Sequence, residues 1–247
     1  MTDAELAAHL AETAGKLLLA VREAGVFSAK ALGKAGDATA NEFLCRAIRE
    51  QRPDDGLLSE ETKCDGSRLG MDRVWIIDPV DGTREYGEAR SDWAVHVALA
   101  IDGVASVGAV ALPGLDTVLR TDRPFALPEP GNPLRMVVSR TRPAAEAVMV
   151  AEKLGAELVA MGSAGAKAMA IIRGEADIYL HSGGQYEWDS CAPAAVAVAF
   201  GLHASRIDGS PLRYNQEDVY MPDLLICRPE HAELVLGILR DAAVAVG

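Results

Sequence analysis

The chain has 247 residues, 49% of them hydrophobic but only 5% aromatic, and a formal net charge of −12. That is enough apolar material for a large core, in one domain or two close-packed subdomains, built mainly from Ala, Val, Leu and Ile. The charge excludes a protein that coats nucleic acid polymers, and it opposes phosphate binding unless bound cations reverse the local sign.

In chain order, residues 3–24 place Leu6, Leu10, Leu17 and Val21 at helical spacing, which predicts an amphipathic helix ending at Gly25. A second helix is predicted over residues 38–51, stopped by Pro53. Leu57-Leu58-Ser59-Glu60-Glu61 reads as an apolar strand ending in two acids. Residues 73–77 form a strand that runs into Asp78-Pro79-Val80-Asp81-Gly82-Thr83, where Pro79 predicts a tight corner. Residues 93–99 carry large side chains at every second position, and Asp102-Gly103 predicts a hairpin turn after them. Residues 104–112 and 117–120 complete an antiparallel meander. Pro124, Pro128, Pro130 and Pro133 then mark an extended connection, the expected boundary between subdomains of residues 1–125 and 134–247. Beyond it, strands at 135–139, 157–161, 177–181 and 224–227 alternate with helices at 144–154, 164–173, 190–200 and 230–243. Such alternation predicts layered α/β packing.

No run approaches the roughly 18 apolar residues of a membrane span, and the first residues lack a basic-then-apolar leader. The expectation is a cytoplasmic protein with no membrane partner. Cys45, Cys64, Cys191 and Cys227 have no CxxC spacing and read as reduced thiols, neither a disulfide frame nor a zinc site.

Four short segments carry chemistry. Asp78, the Val80 carbonyl and Asp81 around a corner are hard oxygen donors of the kind that grip Mg²⁺. Gly82 lets a backbone approach closely, and Thr83 adds a hydroxyl. Taken alone, the same residues are ordinary turn formers. Glu60-Glu61 alone is strand-end solvation, and Asp189, just before an Ala-rich helix, is most simply its N-cap. Gly162-Ser163-Ala164-Gly165-Ala166-Lys167 opens a helix, either as a close-packed start or with amides aimed at an anion. Other chemistries lack their patterns. The five histidines show no HExxH spacing, and His96 reads as packed inside an apolar strand. Ser163 is not in a Gly-x-Ser-x-Gly elbow, and there is no Walker loop or Gly-x-Gly-x-x-Gly.

In order and spacing, Ser-Glu-Glu, Trp-Ile-Ile-Asp-Pro-Val-Asp-Gly-Thr, Gly-Ser-Ala-Gly-Ala-Lys and Glu-Trp-Asp together resemble the inositol monophosphatase superfamily. These are magnesium-dependent, lithium-sensitive phosphatases, and the resemblance covers nearly the whole chain. Arg84-Glu85-Tyr86 after the Asp-Gly-Thr, and Val137-Val138-Ser139-Arg140, are similar to the 3′(2′),5′-bisphosphate nucleotidase branch of CysQ type. The stretch 183–214 resembles actinobacterial members of that branch.

The resemblance implies a layered αβαβα sandwich, of mixed α+β and α/β character, and a site with two or three Mg²⁺ ions. Glu60, Asp78 and the Val80 carbonyl would hold one ion; Asp78, Asp81 and Asp189 would hold a second. Thr83, paired with an acid, would orient the attacking water, with Glu60 and Asp37 as its catalytic partners. The family's early acid matches Asp37 if Gly36-Asp37 sets the register, and Glu42 if Thr39 does. Substrate contacts are expected from Asp81 and from the amides of Gly82 and Thr83. Arg84, Ser139, Arg140, Gly162, Ser163, Lys167 and Glu187 are candidates for the nucleotide's second phosphate or its sugar. The implied reaction removes the 3′-phosphate of adenosine 3′,5′-bisphosphate, in sulfur assimilation, with the sulfated nucleotide as a further candidate. A broader inositol 1-phosphate or fructose 1,6-bisphosphate phosphatase would share the metal core. A non-catalytic nucleotide- or metal-binding regulator is the alternative of another class, although every core carboxylate is present. The family's frequent homodimers are a further expectation, with no exposed apolar stripe to mark an interface. Cys191, two residues after Asp189, places a thiol where oxidation would disturb the site.

Overall fold

Two long helices open the chain, α1 (Asp3–Glu23) and α2 (Ala29–Gln51). The computed structural model describes residues 1–63 and 66–246, so Cys64 lies outside the described residues. Thr2 caps α1 through a reciprocal pair with Glu5, in which each side chain accepts from the other's backbone amide. α2 starts well before the expected residue 38. Gly33 and Gly36, which weaken a helix by roughly 1 kcal/mol each, are its points of closest packing. A Cβ on Gly33 would lie 2.7 Å from Thr83 Cγ2, and one on Gly36 would lie 2.6 Å from Tyr86 Cε1.

The first sheet has the order β1 (Gly56–Ser59), β2 (Arg73–Asp81), β3 (Ala94–Ile101), β4 (Val104–Leu112), β5 (Thr117–Arg120). β1 runs parallel to β2, and the remainder is the expected antiparallel meander. Asp102 and Gly103 both take positive φ, 51° and 74°, at the β3–β4 turn. The short helix α3 (Thr83–Gly87) follows β2 directly.

After the proline-rich connection come β6 (Arg135–Ser139), α4 (Ala145–Leu154), β7 (Glu157–Met161), α5 (Ala164–Ile172), β8 (Ile178–Tyr186), α6 (Glu187–Ala199), β9 (His203–Ser205), β10 (Tyr220–Cys227) and α7 (Pro229–Val246). The second sheet has the order β7-β6-β8-β10-β9, parallel on the β7-β6-β8 side and antiparallel beyond. β8 and β10 are longer than expected. The three-residue β9 is too short to show a period in the sequence.

Three packed cores make five layers, the αβαβα sandwich. α1 and α2 cover one face of the first sheet, with Leu10, Leu18, Leu44 and Ile48 against Trp75, Ile77, Val95 and Val97. Val74, Ile76, Ala98 and Val110 point the other way, onto α5 and α6, whose far side meets Val137, Tyr179, Leu224 and Ile226 of the second sheet. α4 and α7 close the outer face of that sheet through Val150, Val235 and Leu236 on Met136, Ile178 and Leu225. Strands covered on both faces read as continuous apolar runs, as 74–77 does. No helix among the described residues is long and apolar enough to cross a membrane.

Candidate active site

Residues three apart in a regular strand point to opposite faces. Asp78 follows Val74 and Ile76 onto the face of the middle helices, so Asp81 would belong with Trp75 and Ile77 on the other. The structure breaks that parity. The pairing of β2 with β3 shifts between Asp78, opposite His96, and Asp81, opposite Ala94. This irregularity at Pro79 sends Val80 into the core beneath α1 and α2 and turns Asp81 to the side of Asp78. The strand therefore continues through the expected corner to Asp81, and the chain turns at Gly82, whose φ of 88° is left-handed.

Asp189 reaches the same point from the first turn of α6. Its Oδ2 accepts from the Tyr186 amide at 2.7 Å, so it is the third helical residue of a capping arrangement and not the N-cap itself. Asp78, Asp81 and Asp189 each present a carboxylate oxygen, all within 4.8 Å of one another. Glu60, just past β1, adds its carboxyl beside Asp78. Asp37, from the middle of α2, lies with Oδ1 3.4 Å from Thr83 Oγ1, which is also 3.1 Å from the Val80 carbonyl. Glu42 instead pairs with Arg46 on the exposed side of α2. The structure thus brings Asp37 to Thr83 and leaves Glu42 outside.

A profile of the inositol monophosphatase family matches residues 4–124 and 132–243. The chain belongs to the inositol monophosphatase family. Among curated relatives, it is 52% identical over 256 aligned positions to the 3′-phosphoadenosine 5′-phosphate phosphatase of Mycobacterium leprae, spanning 98% of this chain and 94% of that one. It is 27% identical to the 3′(2′),5′-bisphosphate nucleotidase CysQ of Escherichia coli, over 76% of this chain and 81% of that one. Among solved structures, the inositol monophosphatase of Anabaena superposes with a TM-score of 0.80 at 21% identity, covering 96% of this chain and 95% of that one.

Metal dependence is a property of the inositol monophosphatase family, and the donor set here fits a hard cation. Burial, then the neighbouring charges of Glu60, Asp81 and Asp189, raise the pKa of Asp78 well above the carboxylate range. Burial raises Asp37 to about 7, with Glu61 adding to it, and raises Asp189 to about 7, with Asp81 adding to it. Glu60 also rises to about 7, from removal of its carboxyl from water and from the charges of Asp37 and Glu61. So many acids converging in one place are mutually repulsive unless protonated or bridged by cations.

Asp81 is the exception. Burial opposes its charge, but His96, the Ser163 hydroxyl and the Gly165 amide outweigh that and hold its pKa below the usual range. Its Oδ2 accepts from Ser163 Oγ at 2.5 Å and Gly165 N at 2.6 Å, and its Oδ1 accepts from Ala164 N at 3.0 Å. The start of α5 does aim its amides at an anion, as one sequence reading allowed, but that anion is Asp81.

Several expected substrate contacts are engaged elsewhere in this family member. Lys167 is buried and donates to the carbonyls of Gly162, at 3.2 Å, and Ser163, at 2.6 Å, clamping the turn that seats Asp81. The Gly162 amide donates to Asp92 at 2.6 Å. Arg140 joins Glu85 and Glu88 at 2.7 and 2.8 Å, and Ser139 Oγ accepts from the amides of Thr141 and Arg142. Glu187 is fully buried, and its two oxygens each accept at 2.7 Å from the amides of Asn215 and Gln216. It braces the 214–216 segment. Arg84 pairs with Glu88 at 2.8 Å on an exposed helix face. Cys191 is buried, which raises its thiol pKa well above normal and makes it a poor target for oxidation.

Sequence reading missed His96. It is fully buried, as expected, but its Nε2 lies 3.1 Å from Asp81 Oδ2 and its Nδ1 2.9 Å from the Trp188 carbonyl. The available signal was parity: His96 shares a face with Ala94 and Ala98, the small-residue side that meets the middle helices.

Proposed function

We propose that this chain is a Mg²⁺-dependent phosphatase that hydrolyses the 3′-phosphate of adenosine 3′,5′-bisphosphate to leave AMP, with a role in sulfur assimilation. The observation that carries this reading is the 52% identity, across nearly the whole of both chains, to a relative named for that reaction. In support of it, the acids that the chemistry needs converge on one point.

Glu60, Asp78 and the Val80 carbonyl would hold one Mg²⁺, Asp78, Asp81 and Asp189 a second, and Asp37 would serve a third. Mg²⁺ in such a site offsets phosphate charge, eases loss of the 3′ alkoxide and acidifies a water. The remaining work belongs to the chain. The Thr83 hydroxyl has Asp37 and the Val80 carbonyl as acceptors, and its own lone pairs are left to orient the attacking water. Asp37, beside the Thr83 hydroxyl, takes the proton that the water loses. The water oxygen bonds to phosphorus as the bond to the 3′ oxygen breaks, and solvent protonates the departing alkoxide. The amides of Gly82 and Thr83, at the left-handed turn into α3, are placed to hold phosphate oxygens. With Lys167 and Arg140 engaged internally, Arg84 is the cation of the original set left for the second phosphate. Its exposed pair with Glu88 is weak enough to exchange for phosphate.

The test is phosphate release with Mg²⁺ from adenosine 3′,5′-bisphosphate, inositol 1-phosphate and fructose 1,6-bisphosphate in parallel, compared by kcat/KM. We expect a preference of about 100-fold or more for the nucleotide, roughly 2.7 kcal/mol. Comparable rates on all three would replace this reading with a general sugar-phosphate phosphatase. Release from none would leave a regulator as the better account.

A further inference from the structure

We propose that His96 is a positioning residue for metal binding: it fixes the Asp81 carboxylate so that only Oδ1 faces the ion, and ties it to the strand-to-helix junction that carries Asp189. The inference rests on Asp81 and Asp189 being metal ligands. Its basis is the division of contacts between the two oxygens of Asp81. Oδ2 is within reach of three groups, Ser163 Oγ, Gly165 N and His96 Nε2, whereas Oδ1 has only Ala164 N among the contacts given above. A carboxylate oxygen offers two lone pairs, and Ser163 Oγ and Gly165 N take those of Oδ2; His96 Nε2 sets its contact of 3.1 Å on the same oxygen, and Oδ1 keeps one direction open.

The other ring nitrogen supplies the second half of the device. A carbonyl and a carboxylate can only accept, so the strut has an N–H at both ring nitrogens, Nδ1–H donating to the Trp188 oxygen, one residue before Asp189, and Nε2–H facing Asp81. The imidazole is thereby a strut between β3, Asp81 on β2 and the first turn of α6. Gly165 makes room for it, because a Cβ there would lie 2.1 Å from His96 Nε2. The ring is fully buried and far too enclosed to touch a substrate, so its influence must pass through Asp81 and Asp189. Groups that hold ligands in this manner commonly change metal affinity about 10- to 100-fold when removed.

Two substitutions separate the two contacts. His96→Asn keeps a donor near the Nδ1 position and loses the reach to Asp81; His96→Gln reaches toward Asp81 and loses the donor at Nδ1. The primary readout is Mg²⁺ and Mn²⁺ binding by calorimetry on the purified full chain, with a melting curve in EDTA to establish folding and kcat and KM at saturating Mg²⁺. We expect His96→Asn to weaken binding by about 10-fold or more, His96→Gln to recover at least half of that loss on a logarithmic scale, and KM for substrate to change less than twofold at saturating metal. Wild-type affinity in both folded variants would overturn the proposal. An equal loss in both would also overturn it, because the effect would then be packing and not the contact. If neither variant folds, Gly165→Ala carries the test by displacing the ring: unchanged metal affinity there refutes the proposal, and a loss of about 10-fold supports it. Failure of the wild-type protein to bind either ion would refute the metal reading itself.

Discussion

Asp81 and Asp189 present carboxylates to the same point, yet the protein treats them differently. Asp81 accepts from Ser163, Ala164 and Gly165 through both oxygens, so it anchors the start of α5 as well as facing the site. Among the described residues, Asp189 accepts internally through Oδ2, from the Tyr186 amide. An amide in place of Asp189 can still offer an oxygen to Tyr186, whereas one in place of Asp81 must turn its NH₂ toward a backbone N–H. Asp189→Asn is therefore expected to melt within about 2 °C of wild type while losing at least about 100-fold in turnover. Asp81→Asn should lose comparable activity and also melt lower, by a destabilisation of about 1–3 kcal/mol from the unsatisfied donors. Differential scanning calorimetry beside phosphate release checks both; equal melting of the two variants would contradict the anchoring role of Asp81.

At the scale of elements, α2 and α3 meet through missing side chains. Gly33 abuts Thr83, Gly36 abuts Tyr86, and a Cβ on Gly87 would lie 2.6 Å from the Ala29 carbonyl. This close approach is what carries Asp37 to the Thr83 hydroxyl. Gly33→Ala improves helix propensity by about 1 kcal/mol but drives a methyl into Thr83 Cγ2. The expected outcome is a melting temperature changed by only a few degrees and a kcat lowered by about 10-fold or more, with KM little affected. Unchanged kcat would show that the separation of Asp37 from Thr83 does not matter to turnover.

Across a molecule of net charge −12, several acids gather at one point where burial drives them toward protonation. Asp37, Glu60, Asp78 and Asp189 all have folded-state pKa values raised above their unfolded ones. Groups of that kind favour the folded state fully below the unfolded value near 4, and that contribution is lost as pH rises through about 7. His96, also raised because Asp81 outweighs the effect of burial, acts in the same direction. Asp81, lowered, stays ionised in both states above about pH 5 and adds no slope there. In EDTA the protein should thus melt lower at pH 8 than at pH 5, by roughly 5 °C or more for a loss of about 2 kcal/mol. Saturating Mg²⁺ should raise the melting temperature more at pH 8 than at pH 5, because it replaces protons that have already left. Flat melting between pH 5 and 8 in EDTA would mean that these acids are not forced together in solution.

The ordered acids of the candidate metal site, the meander and the layered α/β packing were legible in the sequence, because each is written in local spacing or in strand and helix periods; the five-layer sandwich and the family came through the resemblance that the ordered segments carry. Ser-Glu-Glu, Asp-Pro-Val-Asp-Gly-Thr and Glu-Trp-Asp declare oxygen donors and turns without reference to anything distant. What such segments do not carry is the partner each donor or acceptor will meet. Lys167, Arg140 and Glu187 read equally well as ligand contacts until the packing of α5, α3 and the 214–216 segment engages them internally. The strand irregularity that puts Asp81 beside Asp78, and the strut from His96 to Asp81 and Trp188, exist only because β3 and α6 lie against β2. Local chemistry follows from the chain; the pairing of buried polar groups follows from which elements close over them, since each must find its partner inside the protein once water is gone.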